Sequence, residues 1–251
     1  MAHPLAARLD EVCESARKRR NATLAERLKA IADIVRNEAP EFWTEVDTFV
    51  GRLEAAKAGS SAPQAGEKMP DFTMPDQDGR LVTLESLLQT GPAVLVFHRG
   101  HWCPYCRLNI GAVAEVEDKL APARVVGICA ETRRFTRQMR GAVDATFPIL
   151  TDVGAGYALS VNLAVWVPTR MSQMIAGAGW DVPLYQGTDW VLPIPAVFIV
   201  GQDGRIASRR VDPDYRRRME IADLLRGVDQ LLDRGIPVRR PEKVKQSAGL
   251  A

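Results

Sequence analysis

Two cysteines, Cys103 and Cys106, stand between an apolar run and a helical pattern, and this juxtaposition constrains the fold more than any other feature of the chain. The run Ala93-Val94-Leu95-Val96-Phe97 is short, uncharged and β-branched, which is the pattern of a buried strand. Beyond the second cysteine, Ile110, Val113, Val116 and Leu120 recur at helical spacing, so a helix is expected from about 103 to 120. A strand that turns into a helix through Trp102-Cys103-Pro104-Tyr105-Cys106 puts both sulfurs at the helix start. Unpaired N–H groups there carry partial positive charge and favour a thiolate. Arg99, Arg107 and His101 add cationic character in the sequence neighbourhood, and cysteines in such surroundings titrate well below the ordinary value of about 8.5. Because the thiolate is the nucleophile, one sulfur can attack a disulfide or a peroxide while the other closes an intramolecular disulfide. The pattern points to two-electron thiol chemistry carried by Cys103 and Cys106.

Composition narrows the alternatives. The 251 residues are 46% hydrophobic and 25% charged, the balance of an ordinary globular protein. With 33 basic against 31 acidic side chains, the net charge of +2 gives no reason to expect nucleic acid or an anionic membrane as partner. No apolar run approaches the roughly 20 residues a membrane span needs, and Met1-Ala2-His3-Pro4 opens no secretory hydrophobic core, so the expected location is the cytoplasm. Four cysteines are too few for a disulfide scaffold in a chain of this length. Cys13, in a helical pattern, and Cys129, in the strand-like run Val125-Val126-Gly127-Ile128-Cys129, read as buried small hydrophobes. A zinc site lacks its second half-site, and no metal or cofactor is expected.

Taken in order, the chain begins with helices. Leu5, Leu9, Val12 and Ala16 share one face, then Leu24, Leu28, Ile31 and Val35 another, with Thr23 and Glu26 spaced as a capping box. Pro40 opens a third helix carrying Phe42, Val46, Phe49 and Leu53. Residues 1–57 form a helical extension serving packing or homodimerisation, and the small residues 58–66 form a linker. From 67 to 234 strands and helices alternate, which implies an α/β sheet with helices on both faces. A hairpin turns at Gln77-Asp78-Gly79-Arg80, strands cover 93–97, 124–130 and 147–150, and a helix covers about 133–142. A short helix spans Tyr157 to Leu163, whereas Gly177, Gly179, Pro183 and Gly187 break any regular element between Trp166 and Trp190. That segment, with Trp180, Tyr185 and Trp190, reads as a cover for the thiol site or as packing. Ala196–Val200 and Ile206–Val211 pair as a second hairpin, and a closing helix runs from about Asp214 with Met219, Ala222, Leu225 and Val228 or Leu232. Residues 235–251 form a polar tail.

These residues resemble a known family. The strand, the W-C-P-Y-C motif, the helix and the later Ile194-Pro195 resemble the thioredoxin fold. Met69-Pro70-Asp71-Phe72, Asp78-Gly79-Arg80, Val82-Thr83-Leu84, Leu192–Val200 and Val211-Asp212-Pro213-Asp214-Tyr215 resemble the alkyl hydroperoxide reductase and thiol-specific antioxidant family, the peroxiredoxin group, in a branch carrying W-C-P-Y-C. The resemblance implies a peroxiredoxin-like mixed sheet flanked by helices, a hydroperoxide as substrate and a thioredoxin-like or other thiol electron donor. It places Cys106 at the family's peroxidatic cysteine and Cys103 at the threonine three residues earlier. The family's arginine before the Phe-Ile strand falls at Pro195, which leaves Arg99 or Arg107 as candidate substitutes. Pro195 resembles instead the cis-proline that faces the disulfide of thioredoxins, and X-Pro bonds are those for which cis is cheap.

Two enzymatic readings follow. In the first, Cys106 attacks a hydroperoxide and Cys103 condenses with the resulting sulfenic acid. In the second, an exposed Cys103 attacks a protein or small disulfide and Cys106 resolves the mixed disulfide. A non-catalytic redox-responsive binding module is the further alternative. Around the pair, Trp102 packs beside the sulfurs and Pro104 and Tyr105 tune their potential. His98 and His101 read as surface or hydrogen-bonded residues, with His101 also a candidate proton donor to the leaving group.

Overall fold

The computed structural model describes residues 4–233. The expected tail, 235–251, lies outside the described residues. Three helices lead, α1 (Pro4–Lys18), α2 (Leu24–Glu38) and α3 (Pro40–Ala55), and the Thr23–Glu26 capping box forms as its spacing predicts. There follow a small hairpin of β1 (Thr73–Pro75) and β2 (Leu81–Thr83), the short α4 (Leu84–Leu88), β3 (Ala93–Phe97), α5 (Pro104–Ala114), α6 (Glu117–Leu120), β4 (Arg124–Cys129), α7 (Arg133–Ala142) and β5 (Ile149–Thr151). After α8 (Gly156–Ser160) and β6 (Ala164–Trp166) come α9 (Thr169–Gly177), α10 (Val182–Gln186), β7 (Val191–Pro193), β8 (Ala196–Val200), β9 (Ile206–Val211) and α11 (Ile221–Asp233). Among the described residues no helix is long and apolar enough to cross a membrane.

The central sheet has the order β5-β4-β3-β8-β9, with β3, β4 and β5 parallel and β8 and β9 antiparallel to their neighbours. β3 lies at its centre and is buried on both faces, which is why its sequence is apolar throughout rather than alternating. Val94 and Val96 face a core shared with α1, α2 and α5, while Leu95 and Phe97 face a second core with Phe72, Leu84 and Leu163. Helices α1 and α2 therefore form a layer directly over α5, and α3 packs against α2 and α9. Arg27 of α2 grips Glu115, just past the end of α5, with contacts of 2.9, 3.0 and 3.1 Å. Segment 58–66 runs along β9, with the Gly66 N–H donating to Ile206 O at 2.8 Å and Arg209 donating to Ala62 O at 2.8 Å.

Several expected boundaries move, each for a local reason. The helix over 103–120 breaks at Val116, whose φ of −123° and ψ of 8° leave the helical region, so α5 and α6 are separate. The strand expected over 147–150 is shifted to Ile149–Thr151, and the helix expected over 157–163 closes at Ser160. Between Trp166 and Trp190, α9 and α10 overturn the expectation of an irregular segment. The breakers there bound helices instead of interrupting them: Gly177 ends α9, Pro183 sits in the first turn of α10 behind the Asp181 cap, and Gly187 closes α10 with φ +67°. The closing helix starts at Ile221, seven residues later than Asp214, because Asp212 and Asp214 accept backbone N–H bonds from Asp214 and Arg216 and fold residues 212–218 into a turn. Leu224, Val228 and Leu231 are its buried face, whereas Leu232 is 37% exposed.

Candidate active site

Cys103 is the N-cap residue of α5, Pro104 its first residue and Cys106 its third, so the sequence pattern does bring both sulfurs to a helix start. Both are sealed from solvent, Cys103 at 2% and Cys106 at 0% exposure, which corrects the expectation of an exposed Cys103. Trp180 packs on Trp102 with ring centroids 6.0 Å apart, and Tyr185 packs on His101 at 4.8 Å. α9, the loop after it and α10 thus place aromatic cover beside the site, reached from sequence only as one of two readings.

The Cys106 sulfur accepts the Arg99 backbone N–H at 3.3 Å and a guanidinium N–H of Arg218 at 3.6 Å. Burial alone would raise its pKa. The Cys103 S–H bond, the Arg218 and Arg99 guanidinium charges and the Arg99 N–H outweigh burial and bring it down to about 5. Cys103 goes the other way, well above the ordinary thiol range, because it is buried and its proton is held by the neighbouring sulfur. The pair is therefore one thiolate, on Cys106, and one thiol, on Cys103. The Arg99 guanidinium lies over the Tyr215 ring at 3.9 Å and the Trp102 ring at 5.0 Å, and Tyr105 meets Tyr215 edge-on at 5.7 Å.

A second polar group flanks the motif. Glu131, fully buried just past β4, accepts the His101 backbone N–H at 2.8 Å and meets His101 Nδ1 at 2.7 Å, while the His101 ring stacks on Phe135 at 5.0 Å. Burial raises the Glu131 carboxyl, and the contacts with His101 partly oppose this. Gly100, at φ +143°, is the residue that allows this approach, since a Cβ there would stand 2.5 Å from Glu131 Oε1.

Three further expectations are corrected. Arg107 does not face the thiols: it pairs with Asp10 of α1 at 2.7 Å, beside Cys13, whose S–H donates to Pro104 O at 3.8 Å. The Ile194–Pro195 bond is trans, the one cis bond among the described residues being Ala121–Pro122. Pro195 instead lines a small cleft with Asn109 and Arg218. The His98 side chain is neither at the surface nor hydrogen-bonded. It is wholly buried beneath the site, neither ring nitrogen has a partner among the described residues, and burial lowers its pKa to about 3, leaving it neutral. Cys13 and Cys129 are buried, and burial raises both thiols. Sequence reasoning missed Arg218 and Glu131. Arg218 lies 112 residues from Cys106 within Arg216-Arg217-Arg218, a charge run with the look of a solvated helix face, and neither residue stands in a spacing that marks it.

Comparison with known proteins places the fold and the family. Peroxiredoxin Q, chloroplastic, of Oryza sativa subsp. japonica is 31% identical over 91 residues, 36% of this chain, and the chain spans 42% of that relative's length. Among solved structures, peroxidoxin BcpB from Mycobacterium tuberculosis is similar at a TM-score of 0.53 and 19% identity, covering 67% of this chain and 98% of its own. A peroxiredoxin-like protein from Aquifex aeolicus matches at a TM-score of 0.52 and 11% identity, over 68% of this chain and 88% of its own. These structural likenesses show the thioredoxin-like fold. The model of the AhpC/TSA family matches residues 65–209, more than half of the chain, and the chain belongs to that family.

Proposed function

We propose that this protein is a peroxiredoxin-like thiol peroxidase of a W-C-P-Y-C branch, in which Cys106 is the nucleophile and Cys103 the resolving thiol. The observation that carries this reading is the Cys106 sulfur itself, buried against the Arg99 N–H and the Arg218 guanidinium and titrating near 5 beside a Cys103 thiol held protonated. The Cys106 thiolate attacks the terminal oxygen of a hydroperoxide and the O–O bond breaks. Cys106 becomes a sulfenic acid and the departing alkoxide takes a proton from His101, held by Glu131, to leave as alcohol. The Cys103 sulfur then attacks the Cys106 sulfur, the hydroxyl leaves with the Cys103 proton as water, and a disulfide closes. Two electrons have passed from the dithiol to the peroxide. A thioredoxin-type dithiol returns them by thiol–disulfide exchange. Arg99 and Arg218 supply the cationic groups for which the family pattern uses its own arginine, Trp102 shields the pair, and Pro104, Tyr105 and Pro195 shape its surroundings. We place the redox domain at 67–234, behind the helical extension 1–57 and the linker 58–66.

The test is stopped-flow tryptophan fluorescence of the reduced protein, mixed separately with hydrogen peroxide, an organic hydroperoxide and a small disulfide. Trp102 adjoins Cys103 and reports oxidation of the pair. The expected result is a peroxide-driven change faster than about 10⁴ M⁻¹s⁻¹, the lower end of usual enzymatic efficiency, that disappears in Cys106→Ser. Slow reaction with both peroxides beside rapid disulfide exchange requiring Cys103 would replace this reading with a thiol–disulfide oxidoreductase.

A further inference from the structure

Two buried donors without a partner among the described residues, Asn109 Nδ2 and Arg218 Nε, belong to side chains that line one cleft. Asn109 stands one turn beyond Cys106 on α5 and is 2% exposed; Arg218 is 9% exposed, reaches Cys106 through Nη2 and bonds the Tyr215 and Arg217 carbonyls through Nη1. Pro195, Ala196 and Val197 form the wall, and Arg210, Asp212, Arg217 and Met219 complete the lining. The free space is about 10 Å³, enough for one oxygen-sized group. Unpaired buried donors are rare in folded proteins, and two on side chains that line one small space call for an acceptor there.

Charge says what kind of acceptor. Arg210 is paired with Asp212 at 2.7 Å, and Arg217 with Asp214 at 3.4 Å and Glu54 at 3.6 Å. Arg218 pairs with no carboxylate among the described residues, and neither does Arg99; the negative charge they share is the Cys106 sulfur. Glu131 is engaged by His101. When Cys106 enters a disulfide that negative charge disappears, and both guanidiniums stay buried without it. Burial of an uncompensated cation is costly, so the pull on an external anion rises with oxidation.

We propose that the cleft between Asn109 and Arg218 binds one oxygen of a small carboxylate, and binds it more tightly in the disulfide form than in the dithiol form. The proposal rests on Cys106 being the thiolate of the pair, not on peroxide being its oxidant. Linkage makes the effect reciprocal: the carboxylate holds the protein oxidised by the factor by which oxidation tightens its binding.

Formate is the probe, titrated against the full chain and followed by ¹³C NMR line width. Diamide prepares the oxidised form. It takes two electrons and one proton from the Cys103 thiol and Cys106 thiolate, and a second proton from water, leaving a disulfide and the hydrazine. Binding at least tenfold tighter in the oxidised form is expected. Cys106→Ser, which lacks the thiolate without forming a disulfide, should bind as the oxidised form does. Asn109→Leu should weaken oxidised-form binding at least tenfold. Asn109→Asp keeps the size of the side chain, sets a carboxylate of the protein's own against Arg218, and should abolish formate binding while raising the pH at which Cys106 titrates. Equal affinity in the two redox forms, binding to neither, or indifference to both Asn109 variants overturns the proposal. None of these arms uses peroxide, so failure of the peroxidase reading leaves them intact, and their failure leaves that reading intact.

Discussion

The start of α5 and the end of β4 each bury a cysteine almost completely, Cys106 at 0% and Cys129 at 1% exposure, with opposite results. Burial raises both thiols. At the start of α5 a thiol proton, two guanidiniums and a backbone N–H overcome burial. At the end of β4 the negative charge of Glu131 pushes Cys129 further up, and the one backbone hydrogen bond from Glu131 does not overcome burial. Cations and a thiol proton facing the sulfur, rather than depth in the core, separate a reagent from a packing residue. The largest effect expected from this contrast is the loss of the Cys106 sulfur. In Cys106→Ser the second-order reaction with hydrogen peroxide, followed by tryptophan fluorescence, should fall by at least about 10³-fold, as removal of a nucleophile does.

Removing a cation should carry Cys106 part of the way toward Cys129. Arg218→Met takes away a guanidinium 3.6 Å from the sulfur, and the ultraviolet absorbance of the thiolate should then titrate at a pH moved from about 5 toward the ordinary thiol range. The peroxide rate at neutral pH should drop about 10- to 100-fold, from the smaller thiolate fraction and the missing donor. In the parent protein the rate should stay level above about pH 6 and fall tenfold per unit well below 5. Stability follows the same sign. The folded-state value is depressed, so the thiolate contribution is fully present above the unfolded thiol value of about 8.5 and is lost as pH falls through the folded value. As pH is lowered between these limits, the melting temperature of the reduced protein should fall relative to that of Cys106→Ser. An unchanged thiolate titration in Arg218→Met would break the comparison by leaving the low pKa to Cys103, Arg99 and the helix start without Arg218.

The half of this contrast set by neighbouring residues was legible in the sequence. An apolar five-residue run with no charge can be satisfied only as a buried strand, and Pro104 at a helix start with apolar residues at helical spacing marks α5. The cations were legible only in part. Arg99 follows the strand and reaches the site, but Arg107, one residue past Cys106, points about 100° further round the helix and meets α1 instead. Arg218 arrives from a turn whose geometry depends on Asp212 and Asp214 accepting local N–H bonds, so the residue reads as one more polar position of an expected helix. Glu131 gives no signal because its function depends on the missing side chain of Gly100, a contact across 31 positions. α9 and α10 were obscured because glycines that cap short helices are indistinguishable, in one sequence, from glycines that break them.

A smaller effect is expected where the two regions touch. In Gly100→Ala the new Cβ meets Glu131 at 2.5 Å and Trp102 Nε1 at 2.8 Å, at a φ of +143° that alanine tolerates poorly. Urea unfolding should show a loss of about 1–3 kcal/mol, the usual size of such backbone strain. Because Arg99, whose N–H bonds Cys106, is the adjacent residue, the thiolate titration should rise with it. Lost stability with an unmoved titration would mean that the Glu131 side of the motif is only a structural anchor and is uncoupled from the sulfur.

The smallest effect belongs to Cys129 and is the sharpest check on the contrast. Cys129 closes β4 opposite Thr151 of β5, buried on the same side of the sheet as Cys106. If burial within this core were enough to recruit a sulfur, Cys129→Ser would alter the peroxide rate or trap a different disulfide. If facing cations decide, the substitution should leave the rate within about twofold and lower stability by about 1 kcal/mol, the ordinary cost of changing a buried side chain. Mass mapping of the peroxide-oxidised protein should find Cys103 joined to Cys106 in parent and variant alike. A bond to Cys129 in the parent would mean that the end of β4 supplies a third reacting sulfur, and that its high pKa marks a resolving thiol instead of a packing residue.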